Sequence, residues 1–326
     1  MHLRNKDIIE VSSLDELHKY NIRKVSVAIG VFDGVHLGHR HLLGELSSES
    51  RRNGSLPVAV TFFPHPRLLI KPDQKLQLLV PHHQKLELLK EAGMSAVVTI
   101  AFTEEFSKLS PEGFLESFLS PGQVELLSVF VGSGWRFGRA GAGNTQTLAK
   151  FAENRGFSSK IIKELKTESG KISSSAIRRA IALGDLSLAE KMLGRSYSIF
   201  GKVVPGLSFA SEGLGFPTAN IEIKDGVVPP EGVYSGSAIV KGTEYPSAIS
   251  IGRAQSVKHE NKRRNLLIEV HILNFSGSIY GEEIEVKFGN YLREQRYFSE
   301  MGMLSEQISR DVDAVMEINR KKTGGA

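Results

Sequence analysis

Cysteine is absent from the 326 residues, and with it go disulfides, thiolate nucleophiles and cysteine-ligated zinc. Long apolar runs are absent too, and no window reaches the roughly eighteen residues that a membrane-spanning helix needs. The segment Met1–Glu10 is polar and has no apolar h-region, so no secretory signal is expected and the cytoplasm is the expected location. Concentrated positive charge is scarce. The net charge is +5 and the pI about 9.2, yet Lys262, Arg263 and Arg264 form only a short basic cluster, and such a run reads as a solvated loop. No nucleic-acid or membrane partner is expected, and the protein is expected to be a monomer or weak oligomer. A mild positive excess instead suits phosphorylated small molecules.

What is present is ordinary for a globular protein: 40% apolar and 24% charged residues. The length favours two domains. In the first part, β-branched apolar runs alternate with helical patterns. Lys24–Val31, Pro57–Phe63, Ala96–Phe102 and Ser128–Gly132 read as strands. A segment from about Gly38, then Gln84–Glu91 and Pro111–Leu119, read as helices. That alternation predicts an α/β, Rossmann-like domain with a mostly parallel sheet, whose ligands sit beyond the carboxyl ends of the strands. From about Tyr197 the pattern changes to short alternating stretches: Ser198–Val204, Val233–Val240, Leu266–Asn274 and Ile284–Phe288. These predict a small antiparallel β-barrel, closed by a C-terminal helix around Met303–Ile318. The expected boundary lies near Leu186–Arg195, giving domains 1–186 and 187–326.

Two segments of the first domain carry chemistry. Gly30-Val-Phe-Asp-Gly-Val-His-Leu-Gly-His39 follows a strand and opens a helix. Gly34 and Gly38 permit a close backbone approach, and the helix N-terminus beyond them offers free N–H groups to an anion. His36 and His39 lie three residues apart, a spacing that faces both rings to one side near a first helical turn. Imidazoles there can donate hydrogen bonds to a triphosphate. The second segment, Lys171-Ile-Ser-Ser-Ser-Ala-Ile-Arg-Arg179, also opens a helix. One serine can cap it, and Arg178 or Arg179 can grip phosphate oxygens.

These residues resemble the nucleotidyltransferase superfamily. The flanking glycines, Phe32 and Asp33, the Thr61-Phe-Phe-Pro-His-Pro66 strand end and Arg136-Phe-Gly138 look like the FAD synthetase module of bifunctional riboflavin kinase/FMN adenylyltransferase. In the second half, Gly215-Phe-Pro-Thr-Ala-Asn220, Pro230-Glu-Gly-Val-Tyr234, Ile268-Glu-Val-His-Ile272, Tyr280-Gly281 and Leu292-Arg-Glu-Gln-Arg-Tyr-Phe298 fall in the order of the riboflavin kinase family. The resemblance implies ATP, FMN and riboflavin as substrates, with Mg²⁺ bridging phosphates. His36 and His39 would bear on ATP phosphates and Ser174, Ser175 and Arg178 on the leaving pyrophosphate. Gly30, Phe32, Asp33, Gly34 and Gly38 would shape the nucleotide loop, with His65 in the substrate pocket. Thr218 and Asn220 would hold metal and phosphates, Glu269 would be the catalytic base, and Arg293 would support the flavin or the nucleotide flap.

Four departures from the family pattern stand out. Gly134-Trp135 replaces an Asp-Phe pair, removing a carboxylate, and Ala140–Gly143 lacks a basic residue. Glu212 replaces an arginine, and Gly252-Arg-Ala-Gln-Ser-Val257 replaces a Gly-Thr-x-Pro-Thr-Phe segment. The last two imply a weakened kinase half; the alternative reading is an adenylyltransferase alone, with a non-catalytic flavin-binding barrel.

Overall fold

The computed structural model describes residues 8–74, 76–119, 122–168, 170–205, 215–223, 226–253, 266–296, 298 and 300–323. Glu212 and Ala254–Val257 therefore lie outside the described residues. The chain divides into two compact units, Met1–Leu76 with Pro81–Ser174, and Gln77–Val80 with Ser175–Ala326.

In the first unit the strands are β1 (Ile9–Val11), β2 (Lys24–Ile29), β3 (Leu56–Phe63), β4 (Ala96–Ala101), β5 (Glu125–Gly132) and β6 (Ser158–Ile162). They form one parallel sheet in the order β1-β4-β3-β2-β5-β6. The helices are α1 (Leu37–Asn53), α2 (Pro66–Ile70), α3 (His82–Glu91), α4 (Glu104–Ser107), α5 (Pro111–Leu119) and α6 (Thr145–Arg155). A short ribbon of β7 (Lys166–Thr167) and β8 (Gly170–Lys171) completes the unit. Strands β2, β3 and β4 step toward one edge, and β5 and β6 toward the other. The order reverses beside β2, and a crevice opens at the carboxyl ends of the flanking strands. The loops after β2 and β5 border it. Val25, Val27, Val58, Val60, Val98, Val129 and Val131 are fully buried in the sheet, as the near-continuous apolar runs of a parallel sheet require.

The second unit begins with α7 (Ser174–Ala182), whose first residue belongs to the other unit, and α8 (Leu186–Leu193). Strands β9 (Ser198–Val204), β10 (Ala219–Glu222), β11 (Gly232–Val240), β12 (Thr243–Arg253), β13 (Leu266–Ile272) and β14 (Glu283–Arg293) follow. They close an antiparallel barrel in the order β10-β13-β12-β11-β14-β9. Barrel closure explains two glycines. A Cβ on Gly236 would lie 2.1 Å from the Lys287 carbonyl oxygen, and one on Gly201 would lie 2.4 Å from Ile221. Alternation along β13 buries Ile268, Val270 and Ile272, which leaves Glu269 and His271 on the opposite face. The final helix, α9 (Met301–Thr323), extends the expected one at both ends.

Candidate active sites

The loop from Gly30 to His36 is held in an unusual backbone path. Phe32 (φ +52°) and Val35 (φ +36°) share the left-handed region with Gly34 (φ +79°). Both non-glycine side chains are buried, so the packing that anchors them offsets a strain of roughly 1–2 kcal/mol per residue. Sequence reasoning gave this freedom to the glycines alone. Gly38 serves a different purpose. A Cβ there would come within 3.2 Å of the His36 ring, which folds back over the helix.

That ring caps α1. His36 Nδ1 accepts from the His39 N–H at 3.3 Å, so its proton sits on Nε2. The two imidazoles stack with centroids 3.6 Å apart and 14° between planes, and the Phe32 ring meets His39 edge-on at 5.2 Å. Desolvation, and then the neighbouring His36, hold the His39 imidazole well below its usual range. His39 is therefore neutral, with a buried Nδ1 that has no protein partner. Asp33, within the loop, is buried, and its carbonyl accepts from the Ser174 hydroxyl at 3.0 Å. Ser174 thus ties the second motif to the first. Ser175 and Arg178 fall in the second unit, where Arg178 Nε donates to the Gln77 carbonyl at 2.7 Å. His65 caps α2, its Nδ1 accepting from the Arg67 N–H at 3.1 Å.

Beside the loop, starting at Val31, opens a cavity of about 830 Å³. Phe62, Phe102, Phe106, Phe114, Trp135 and Phe137 supply aromatic walls, and Lys71, Lys108 and Arg136 contribute exposed cations. Trp135 stacks on Phe137, centroids 4.3 Å apart. Phe102, Phe106 and Phe114 come from different elements and carry no local motif, so the sequence reading missed them. It also missed Glu164. A Cβ on Gly134 would lie 2.8 Å from Glu164 Oε1, and Lys171 pairs with that carboxylate. A carboxylate from another loop thus stands beside position 134.

In the barrel, Asn220 on β10 lies directly opposite Glu269 on β13, which in turn faces Ser250 on β12. Such partners share one face of a sheet. Just before β10, His271 Nδ1 donates to the Pro217 carbonyl at 2.8 Å, and Phe216 meets the His271 ring edge-on. These contacts fix the Phe216–Thr218 turn. Thr218 Oγ1 and Asn220 Oδ1 are both buried without a hydrogen-bond partner, an arrangement that costs about 1–3 kcal/mol per group unless something satisfies it. Two short, hard, unsatisfied oxygens two residues apart in sequence fit a magnesium ion that takes its remaining ligands from phosphate and water.

Thr218 borders two cavities. One, about 190 Å³, also includes Phe216, Glu269, Arg293, Phe298, Leu304 and Ile308. The other, about 310 Å³, runs from Pro217 along Phe275–Tyr280. Arg293, expected to support flavin or nucleotide, uses its guanidinium to anchor α9. Its Nε and Nη2 donate to Asp311 at 2.9 and 2.7 Å, and its Nη1 to the Glu294 carbonyl at 3.0 Å. Gln307 completes the grip on Asp311.

A doubly wound sheet with a histidine-lined loop at its switch point, joined to a closed barrel with a hard-oxygen site, defines a two-part nucleotide-dependent transferase. Residues 18–176 match the FAD synthetase family model and residues 193–319 the riboflavin kinase model. The bifunctional riboflavin kinase/FMN adenylyltransferase of Listeria monocytogenes is 36% identical over 89% of this chain and 91% of its own. The enzyme of the same name from Bacillus subtilis is 30% identical over 93% and 95%, and that from Escherichia coli K12 33% over 87% and 90%. A crystal structure described as a macrolide-efflux protein from Streptococcus pneumoniae superposes with a TM-score of 0.80 at 25% identity, covering 95% of this chain and 98% of that one. No described helix here is long and apolar enough to cross a membrane. The chain belongs to the bifunctional riboflavin kinase/FMN adenylyltransferase family of transferases.

Proposed function

We propose that the first half joins ATP to FMN and the second half makes that FMN from riboflavin. In the first reaction an FMN phosphate oxygen attacks the α-phosphorus of ATP in line, forming FAD as the bond to the pyrophosphate oxygen breaks. No protein nucleophile is required, so positioning and charge stabilisation carry the rate. The observation that carries this reading is the stacked His36–His39 pair capping α1 beside an aromatic cavity of about 830 Å³. Neutral imidazoles and helix N–H groups suit phosphates, and aromatic walls suit a flat ring. Ser174 stands beside that loop. Ser175 and Arg178 follow it on the same helix, which supports assigning all three to the pyrophosphate. His65 caps the helix whose Pro66 lines that cavity, which supports keeping it with the acceptor.

In the second reaction Glu269 takes the proton of the terminal ribityl hydroxyl, whose oxygen attacks the γ-phosphorus of ATP, leaving FMN and ADP. Thr218, shared by two cavities, supports a flavin on the Glu269 side and a nucleotide on the Phe275–Tyr280 side. Magnesium held by Thr218 and Asn220 would neutralise phosphate charge at that junction. Arg293 contributes by holding α9 against the Glu269 cavity. The functional halves divide as 1–186 and 187–326, a boundary supported by the gap between the two family matches, although the compact units part earlier, at Ser174. A monomer or weak oligomer is part of the same reading. ATP as shared donor supports a cytoplasmic location.

The test is chromatography of the products formed from riboflavin with MgATP and, separately, from FMN with MgATP. Both substrates should yield FAD. FAD from FMN alone would reduce the barrel to a flavin-binding module, and no FAD from either would overturn the reading.

A further inference from the structure

Lys85 lies on α3, outside both the histidine loop and the serine-arginine segment, and is only 7% exposed. Its ammonium donates to Thr61 Oγ1 at 3.1 Å and reaches toward the Phe62 carbonyl at 3.5 Å. Thr61 in turn donates its hydroxyl proton to the Val31 carbonyl at 3.1 Å. Val31 is the residue that enters the Phe32–Val35 turn. The charged groups acting on the ammonium are Asp33, inside that turn, and Glu10 on β1. Glu10 is itself engaged by His82 at 2.8 Å and Thr99 at 2.5 Å. A buried cation without a hydrogen-bonded carboxylate is a poor device for stability, because desolvation outweighs what neutral oxygens return. Its contacts converge instead on the turn in which Phe32 and Val35, two buried non-glycine residues, hold positive φ.

We propose that Lys85 is a positioning residue for adenylyl transfer, locking the strained Phe32–Val35 turn from behind through Thr61 and through the charge of Asp33. This role rests on the adenylyltransferase reading of the first half. Only the protonated amine can hold both partners. A neutral amine loses the attraction to Asp33, and the turn that leads to His36 and His39 loosens. Desolvation, opposed in part by Asp33 and Glu10, pushes the amine down to about 8. The lock therefore releases in mildly alkaline solution, where the phosphates of ATP and FMN have already finished titrating.

The test follows FAD formation from FMN and MgATP between pH 6.5 and 9.5, with KM for ATP and kcat resolved separately. FMN formation from riboflavin in the same samples reports the barrel. For the wild type, adenylylation should fall about tenfold as pH rises through about 8, chiefly in kcat/KM for ATP, while kinase turnover does not share that inflection. Lys85→Met should show the low value at every pH, with kinase turnover intact, and Lys85→Arg, which stays charged, should move the alkaline fall beyond the range. Should Lys85→Met fail to fold, the wild-type profile and Thr61→Val decide. An adenylylation rate that is flat across pH 8, or a folded Lys85→Met with wild-type kcat/KM, overturns the proposal while leaving the adenylyltransferase intact. A wild type that forms no FAD from FMN removes both.

Discussion

His39 and Lys85 are both titratable groups that burial keeps from holding a proton as tightly as they would in water, and their consequences run in different pH windows. The His39 imidazole is held neutral by desolvation and by His36. The unfolded chain takes up that proton near pH 6.5 and the folded chain does not, so this site's stability is lost as acid is added. Replacing His39 with alanine should lessen that acid sensitivity in thermal melts. It should also cut FAD formation about 100-fold or more, the usual loss for one preorganised donor, while FMN formation from riboflavin is unchanged. Equal loss of both activities would mean misfolding. Lys85 gives the opposite pairing of signs. Between pH about 8 and 10.5 the unfolded amine keeps a proton that the folded one has released. Stability from this group rises across that window, by about 3 kcal/mol at most, just where adenylylation falls. Urea unfolding at pH 7.5 and 9.5, with wild type against Lys85→Met, measures the difference in slope. A lysine serving only stability would lose both together.

Among the elements, legibility followed the hydrophobic pattern. The bounds of Pro111–Leu119 and Ser198–Val204 are those of the observed helix and strand, because each has an apolar period and a turn residue at its end. Strand β6 was not read because Ser158–Ile162 is a largely polar edge strand in which no residue is buried and three of the five are exposed. Strand β12 was missed because Pro246 and Gly252 interrupt a stretch that the barrel nonetheless pairs on both sides. Helix α6 had an available signal, the Asn144–Thr147 capping box, but its apolar face is narrow. The histidine loop and the Pro-Thr-Ala-Asn turn were legible because their chemistry is local. Lys85, Glu164 and the phenylalanine walls were not, since tertiary pairing alone brings them to the site. The anchoring of α9 belongs to the same group. Arg293 and Asp311 are 17% and 8% exposed, and removing one partner of a buried pair typically costs about 3–5 kcal/mol. Asp311→Ala should therefore lower the unfolding midpoint and expose α9 to limited proteolysis, with the KM for riboflavin rising. A protease-resistant helix would contradict that role. The Thr218 hydroxyl is costly without its ligand, so Thr218→Val should hold or raise the melting temperature. The same variant should lose at least tenfold in FMN formation, with a weaker response to added magnesium. A stability loss with kinase activity retained would show that the hydroxyl is structural.

At the scale of the molecule, the chain divides into two compact units, and each candidate cavity is lined by residues of one unit, so the activities should be separable by single substitutions. Glu269→Gln removes the carboxylate proposed as the base but keeps the size and the strand, and should form FAD from FMN though not from riboflavin. His39→Ala should stop at FMN. Neither variant alone converts riboflavin to FAD. FMN leaves the barrel as a soluble phosphate ester, and the aromatic cavity of the first unit is bordered by the exposed cations Lys71, Lys108 and Arg136. Those charges favour capture of an anionic flavin from solution. An equimolar mixture of the two variants should therefore regain FAD synthesis from riboflavin, after a lag in which FMN accumulates, and the lag should lengthen on dilution. The chromatographic time course separates this from handover within one chain, in which the mixture would pile up FMN and make no FAD.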